Sequence, residues 1–217
     1  MMLDQNKITQ LSGFALFQGI NELGLLAIAN VARYTHLDKG DQITNMVTNY
    51  PALTLIVNGE LKVIQLTSSG REQPLYFLRA GDVEGEEEVL TQNLMDTSLI
   101  ATKDSTILRI ARDDLVVLLD VYPQLSRQLS MNMAYKLIRL SKQRAWLLAE
   151  TVEERLWNYL LDLAQELGKN SFVLPISKKD LAAYLGTVPE TLSRRLAALE
   201  QQGRLQRGNR GQIDLLI

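Results

Sequence analysis

Residues 175–217 read "PISKKDLAAYLGTVPETLSRRLAALEQQGRLQRGNRGQIDLLI", and their punctuation decides the fold. Ser177, followed three positions later by Asp180, predicts a helix start, where a side-chain oxygen accepts from a free N–H of the first turn. Leu181, Ala182 and Leu185 give that helix an apolar face, and Gly186 ends it. Pro189 suits the first turn of a second helix, where its missing N–H costs nothing. Leu192, Leu196 and Leu199 form the buried face of this helix, and Gly203 closes it. Two helices joined by so tight a turn make a helix-turn-helix. Beyond it, "RLQR" and "QIDLL" flank "GNRG", which predicts a small hairpin, the wing of a winged variant.

The charge of this region sets it apart. Residues 177–211 hold seven basic residues (Lys178, Lys179, Arg194, Arg195, Arg204, Arg207, Arg210) against Asp180, Glu190 and Glu200, in a chain whose net charge is −2. A local basic surplus in an acidic chain is the footprint of phosphate contact. On the second helix Glu190, Ser193 and Arg194 stand at i, i+3 and i+4 and share a face near its N-terminal half. Glutamate accepts from cytosine N4, arginine forks onto guanine O6 and N7, and serine reaches either kind of edge. These three are the candidate base contacts. Ser177, Lys178, Lys179, Thr191, Arg195, Arg207 and Arg210 are the candidate backbone contacts. The competing reading is a solvated face on which Glu190 and Arg194 pair with each other.

Working outward, "TVEE" (Thr151 to Glu154) is a capping box, so a helix starts at Thr151 and ends at Gly168. Before it, Leu125, Leu129, Met133, Leu137 and Leu140 recur at spacings of four and three in a run free of Gly and Pro. A long helix alone is marginal in water, so this stripe packs either on its own β-domain or, as the reading favoured here, on a second copy as a two-stranded coiled coil. From Tyr34 to about Ile110 the period is that of strands. Hairpins are expected at Asn58-Gly59 and Ser69-Gly70, with turns at Gly40-Asp41, Gly81-Asp82 and Lys103-Asp104, which describes an antiparallel sandwich or barrel. The first segment reads as short helices, with Asn21 as a cap and Leu23, Leu26, Ala27 and Val31 on roughly one apolar face. The expected division is residues 1–112 as a β-domain with short N-terminal helices, 113–150 as a dimer helix and hinge, and 151–217 as the winged helix-turn-helix.

Composition removes several classes of function. With no cysteine, disulfides, thiolate zinc sites and cysteine-ligated iron–sulfur clusters are excluded. The one histidine, His36, reads as a strand-edge residue, and no metal site is expected. No nucleophile–base–orienter set can be assembled, so an enzyme is the least supported class. No apolar run approaches the roughly 18 residues of a membrane span, and the start of the chain lacks the pattern of a signal peptide. The cytoplasm is the expected location.

In the order of its elements the chain resembles the CRP/FNR family of bacterial transcription regulators over nearly its full length. Glu190 to Arg194, "ETLSR", resembles the E-x-x-S-R recognition pattern of FNR-type members; "NGELKV" and the Gly81-Asp82…Gly85-Glu86 loop resemble the β-roll's cyclic-nucleotide cassette. The resemblance implies an α+β fold: an N-terminal antiparallel β-roll (a cyclic-nucleotide-binding-like jelly roll), a long dimerisation helix and a C-terminal winged helix-turn-helix. It implies a homodimer on double-stranded DNA reading an inverted repeat of TTGAT-like half-sites, with RNA polymerase as a partner and a small-molecule effector of unknown identity.

The cassette departs from its pattern at "AGDVEGEEEVL", residues 80–90, and at "LMDTS" after it. In cyclic-nucleotide-binding relatives the residue matching Glu86 holds the ribose, and an Arg-Ser or Arg-Thr pair about ten residues on holds the phosphate. Here Met95, Asp96 and Thr97 stand in that pair's place. The candidate effector residues are Glu84, Gly85, Glu86, Glu87, Asp96 and Thr97. An anion would meet several carboxylates and no fixed cation, each such pair at 4 Å opposing it by roughly 1 kcal/mol in water and about 4 at an effective dielectric of 20. The expectation is weak or no binding of cyclic AMP and no cofactor. Two views of the acids themselves stay open: a helix first turn pointing into water, or a dedicated cation or amine site. The alternatives to this overall reading are a cyclic-nucleotide-responsive regulator and a β-roll module without specific DNA readout.

Overall fold

The computed structural model describes residues 2–44, 50–66, 72–208 and 211–217, with side chains at all of these except 2–4 and 142–148. It divides into two compact units, residues 1–138 and 139–217.

The first unit opens with α1 (Met2–Ser12), a 3-10 turn (Ala15–Phe17) and α2 (Glu22–Val31). Asn21 caps α2 as expected, its side chain accepting from Gly24 N. The buried face of α2 is Gly24, Leu25, Ile28 and Ala29. Leu23 and Leu26 are exposed, so the face expected from the sequence is off by about a third of a turn. The strands follow: β1 (Arg33–Leu37), β2 (Gln42–Ile43), β3 (Ala52–Leu66), β4 (Glu72–Arg79), β5 (Val83–Glu84) and β6 (Thr97–Ala111), with the short helix α3 (Glu86–Thr91) before β6. After them come α4 (Arg112–Val121) and α5 (Pro123–Ala149).

Every strand pairing here is antiparallel. The two long strands β3 and β6 form the spine, paired from Ala52↔Ala111 to Gln65↔Thr97. Along the outer edge of β6 lie β1 and β2; along that of β3 lie β5 and β4. The sheet is thus two four-stranded halves sharing a bent spine, the β-roll expected. Leu37, Ile56 and Ile107 of one half meet Leu61, Val63, Tyr76, Leu78 and Ala101 of the other in the interior. A second core joins Leu53, Leu55, Leu108 and Ile110 to the helices through Leu11, Phe14, Ile28 and Leu115.

The spine overturns two expected turns. Asn58-Gly59 is not a hairpin, and Lys103-Asp104 is not a turn; both lie inside continuous strands, opposite each other, where the register shifts at Asn58 and Glu60. The positive φ that marked Gly59 as a turn residue (+95°) serves a bulge that bends the spine. Ser105 packs so closely there that a Cβ on Gly59 would lie 2.1 Å from its Oγ. The β3–β4 hairpin does form, from Leu66↔Glu72 onward; its Ser69-Gly70 tip lies outside the described residues. His36 sits on the edge strand β1, as expected, with Nδ1 3.1 Å from Thr106 Oγ1.

Helix α5 corrects both the domain boundary and the dimer stripe. Leu125 and Leu129 are fully buried in the first unit's own core, so they are not interface residues between copies. Met133 is half-buried, while Leu137 (69% exposed) and Leu140 (37%) face out. The buried line of the helix instead runs Leu125, Leu129, Asn132, Lys136, a spacing of four, three and four that keeps one face. Its opposite face exposes Met131, Ala134 and Ile138, beside Tyr135 at 65%. Because α5 is anchored this way, the first unit extends to residue 138 rather than ending at 112.

The second unit holds α6 (Val152–Leu167), β7 (Ser171–Val173), α7 (Lys178–Tyr184), α8 (Pro189–Gln201), β8 (Leu205–Arg207) and β9 (Gln212–Leu215). The capping box is present: Glu154 N donates to Thr151 Oγ1 and Thr151 N to Glu154 Oε2. Leu156, Leu160 and Leu163 of α6 are buried, as are Leu181 of α7 and Leu192, Leu196 and Leu199 of α8. The wing has the expected strands, and β7, which the sequence reading missed, adds a third in the order β7-β9-β8.

Candidate nucleic-acid interface and acidic site

Helix α8 owes its position to its leucines, and its outward face follows from them. With Leu192, Leu196 and Leu199 inside, the positions between must face solvent, and Glu190, Ser193 and Arg194 are all exposed. Arg194 Nη2 donates to Thr191 Oγ1 at 3.0 Å. Among the described residues no ion pair joins Arg194 to Glu190, so the competing reading of a self-paired face is not realised here.

The flanking residues divide into free and engaged. Lys178 and Lys179 are exposed in the first turn of α7. Ser177 caps that helix, accepting from Asp180 N at 3.0 Å and donating to Asp180 Oδ2. Thr191 is half-buried. Arg195 lies 3.5 Å from Glu153, and Arg204 stacks on Trp157, 3.9 Å from the ring centre. Arg207 donates through Nε to Glu200 Oε2 at 2.7 Å and through its backbone N to Oε1, and these hydrogen bonds hold Glu200 below the usual carboxylate range. Two arginines expected on phosphate are therefore paired with acids of their own unit. Arg210 lies outside the described residues.

The acidic stretch of the first unit is built inward. Gly85, at φ +95°, lets the chain pass the spine so closely that a Cβ would lie 2.6 Å from Ala52 O. The α3 turn that follows places Glu86 and Glu88 inside, and Glu84 on β5 is buried too. Of the two views of the first-turn acids, the water-facing one fails for Glu86 and Glu88. Lys136 reaches Glu84, Glu86 and Glu87 from α5. Its Nζ donates to Glu84 Oε1 at 2.7 Å and to Glu87 Oε1 and Oε2 at 2.9 and 3.0 Å, and lies 3.8 Å from Glu86 Oε2. Tyr76 donates its hydroxyl to Glu84 Oε1 at 2.9 Å, with the Lys136 ammonium 5.6 Å from its ring centre. Asn132 donates to Glu86 Oε1 at 3.1 Å.

One ammonium cannot neutralise three carboxylates. Burial pushes Glu84 up to about 7 despite the opposing pull of Lys136, and burial likewise raises Glu86. Lys136 is itself held charged well above the ordinary lysine range: burial works against its charge, but the surrounding carboxylates prevail. Among the described residues Glu84 Oε2 and Glu86 Oε2 are buried without a hydrogen-bond partner, which fits a proton shared into the cluster.

Beside the cluster the described residues form a partly open cavity of about 30 Å³, lined among others by Glu84, Gly85, Glu87, Glu88, Thr97 and Arg109. Four expected effector residues (Glu84, Gly85, Glu87, Thr97) therefore line it. Glu86 lies outside the lining, bound to Asn132, and Asp96 is exposed away from it. The expectation of no fixed cation is corrected by Arg109, which the sequence reading missed because it comes from β6 rather than from the cassette. Burial lowers the Arg109 guanidinium from its ordinary range, and the Glu88 carboxylate opposes that shift.

Comparison with known proteins places both units. Residues 154–216 match the Crp-like helix-turn-helix domain and residues 34–122 the cyclic nucleotide-binding domain. The protein named "Probable transcriptional regulator flp" in Lacticaseibacillus casei is 33% identical over 198 residues, 90% of this chain and 89% of that one.

The chain belongs to the CRP/FNR family.

The CRP/FNR relative FnrA of Stutzerimonas stutzeri, a transcriptional activator, is 28% identical over 92% of this chain and 84% of its own. The solved structure of FixK2 from Bradyrhizobium japonicum superposes with a TM-score of 0.73 at 27% identity, covering 86% of this chain and 93% of that one. The chain is a DNA-binding transcription regulator of the CRP/FNR type, with an α+β fold of β-roll and winged helix-turn-helix.

Proposed function

We propose that the protein works as a cytoplasmic homodimer that binds an inverted repeat of TTGAT-like half-sites and regulates transcription there, with RNA polymerase as a partner, and that it is not an enzyme. The observation that carries this reading is the exposed, outward triad Glu190, Ser193 and Arg194 on a helix fixed by three buried leucines. That is the part of a recognition helix that meets base edges in the major groove. Lys178 and Lys179 supply phosphate contacts directly. Arg195 and Arg207 do so by exchanging Glu153 and Glu200 for phosphate, and Ser177 and Thr191 approach the backbone beside them.

The partner copy docks on the face of α5 that its own unit leaves bare, along Met131, Ala134 and Ile138 with Tyr135 and Leu137 at the sides. Two recognition helices then reach successive major grooves about 34 Å apart. No described helix is long and apolar enough to cross a membrane. The effector is not a cyclic nucleotide, because the cluster around Glu84, Glu86 and Glu87 presents net negative charge and already holds a cation. Arg109 favours a second reading, in which a small anion enters the neighbouring cavity.

Selection of bound DNA from a random pool by the purified protein, with nothing added, tests the proposal. An enriched inverted repeat is the expected result; a pool left unenriched, or enriched without two-fold symmetry, would defeat it.

A further inference from the structure

We propose that Lys136 is an internal ligand of the β-roll: its ammonium fills an alkylammonium site made by Glu84, Glu86, Glu87 and the face of Tyr76, and so docks helix α5 without a diffusible effector.

The geometry is that of a bound amine rather than of a surface ion pair. The Lys136 side chain is 11% exposed, and it donates to Glu84 and to both oxygens of Glu87. A third carboxylate, Glu86, and an aromatic face complete the shell. The acids that build it come from β5 and α3, which β3 fixes through the Thr54↔Glu84 pairing and the close pass at Gly85. The ligand comes from α5, whose register Leu125 and Leu129 set. Asn132, one turn before Lys136 on the same face, bonds to Glu86. Removing Lys136 would leave three acidic side chains in a buried space without their cation, so the attraction that holds α5 against them is lost. Charge and position together make the lysine a switch held in its engaged state.

The docking claim stands on this geometry alone; its consequence for DNA rests on the regulator proposed above. Hydrogen–deuterium exchange on the full chain, read on peptides covering residues 128–138, separates the two. Lys136→Ala is expected to speed exchange there about tenfold or more, and added propylammonium is expected to restore protection while propanol, its neutral analogue, does not. Exchange unchanged from the wild type, or rescue by propanol equal to that by propylammonium, would overturn the proposal.

Should Lys136→Ala fail to fold, the double variant Glu84→Gln/Glu87→Gln removes the site and leaves the lysine free. It is expected to show the same fast exchange and no response to propylammonium; wild-type protection in that variant would equally overturn the proposal. On the operator recovered by selection, Lys136→Ala is expected to bind about tenfold more weakly and to recover with propylammonium. Unchanged operator affinity alongside fast exchange would remove the effector role and leave only docking. A selection that yields no operator defeats the regulator reading and leaves the exchange result standing.

Discussion

Raising the pH from about 5 to about 8 should weaken the first unit, and Glu84 should account for most of the loss. Burial lifts this carboxyl from 4.5 to about 7 in the folded protein, so between those values the native state keeps a proton that the unfolded chain has released. Stability therefore falls as pH rises through that window. A shift of this size is worth about 3 kcal/mol at one unit per 1.36 kcal/mol, of which between about 2 and 3 fall inside the range from pH 5 to pH 8.

Glu84→Gln mimics the protonated form and should lose the dependence. The stability difference, wild type minus Glu84→Gln, is read from exchange of the most protected β3 and β6 amides, corrected for intrinsic rates, and should shrink by that amount as pH rises. Infrared difference spectra should show a protonated carboxylic acid band that titrates near neutrality and is absent from Glu84→Gln. A stability difference that is flat, or that grows with pH, would refute the reasoning, because it would mean that Lys136 outweighs burial at this carboxylate.

Other consequences follow from particular contacts. Gly59→Ala should destabilise the first unit by about 2–4 kcal/mol in denaturant unfolding, since it adds left-handed strain to a clash with Ser105. Leu129→Ala should cost about 2–5 kcal/mol of stability and leave the dimer dissociation constant unchanged in sedimentation, whereas Ile138→Glu should dissociate the dimer and spare the fold. Glu200→Gln should release Arg207 and strengthen binding to DNA of any sequence, whereas Arg207→Ala should lower the salt slope by about one counterion; a slope unaltered by Arg207→Ala would show that Arg207 never reaches phosphate.

The parts of this protein that local chemistry specifies were readable from the sequence. The caps at Asn21, Thr151 and Ser177, the proline at the start of α8 and the leucine spacing within it are decided within a turn of helix, and each stands where its residues implied. What misled was ambiguity that only distant partners resolve. Asn58-Gly59 carries hairpin chemistry, yet the same left-handed glycine serves a bulge once β6 pairs along the whole of β3. The leucines of α5 show a stripe but not its partner: Leu125 and Leu129 found the first unit's core, and the face left for a second copy lies on the other side. The acidic loop looked like a solvated first turn because its counter-charge is on Lys136, 49 positions from Glu87. A cluster of acids beside buried β-strands is itself a demand for a cation, and Asn132 and Lys136, continuing the face of Leu125 and Leu129, were the place to look for it. Arg109 reads as an ordinary strand residue until the roll folds it toward Glu88.

The claim on which function depends is that α8 reads bases through its exposed triad. Binding of the selected operator and each of its single-base variants, compared for wild type and Arg194→Ala, tests it most directly. The account predicts a loss of about 1–3 kcal/mol and a loss of discrimination confined to one base pair in each half-site. An Arg194→Ala profile equal to the wild type at every position would contradict it.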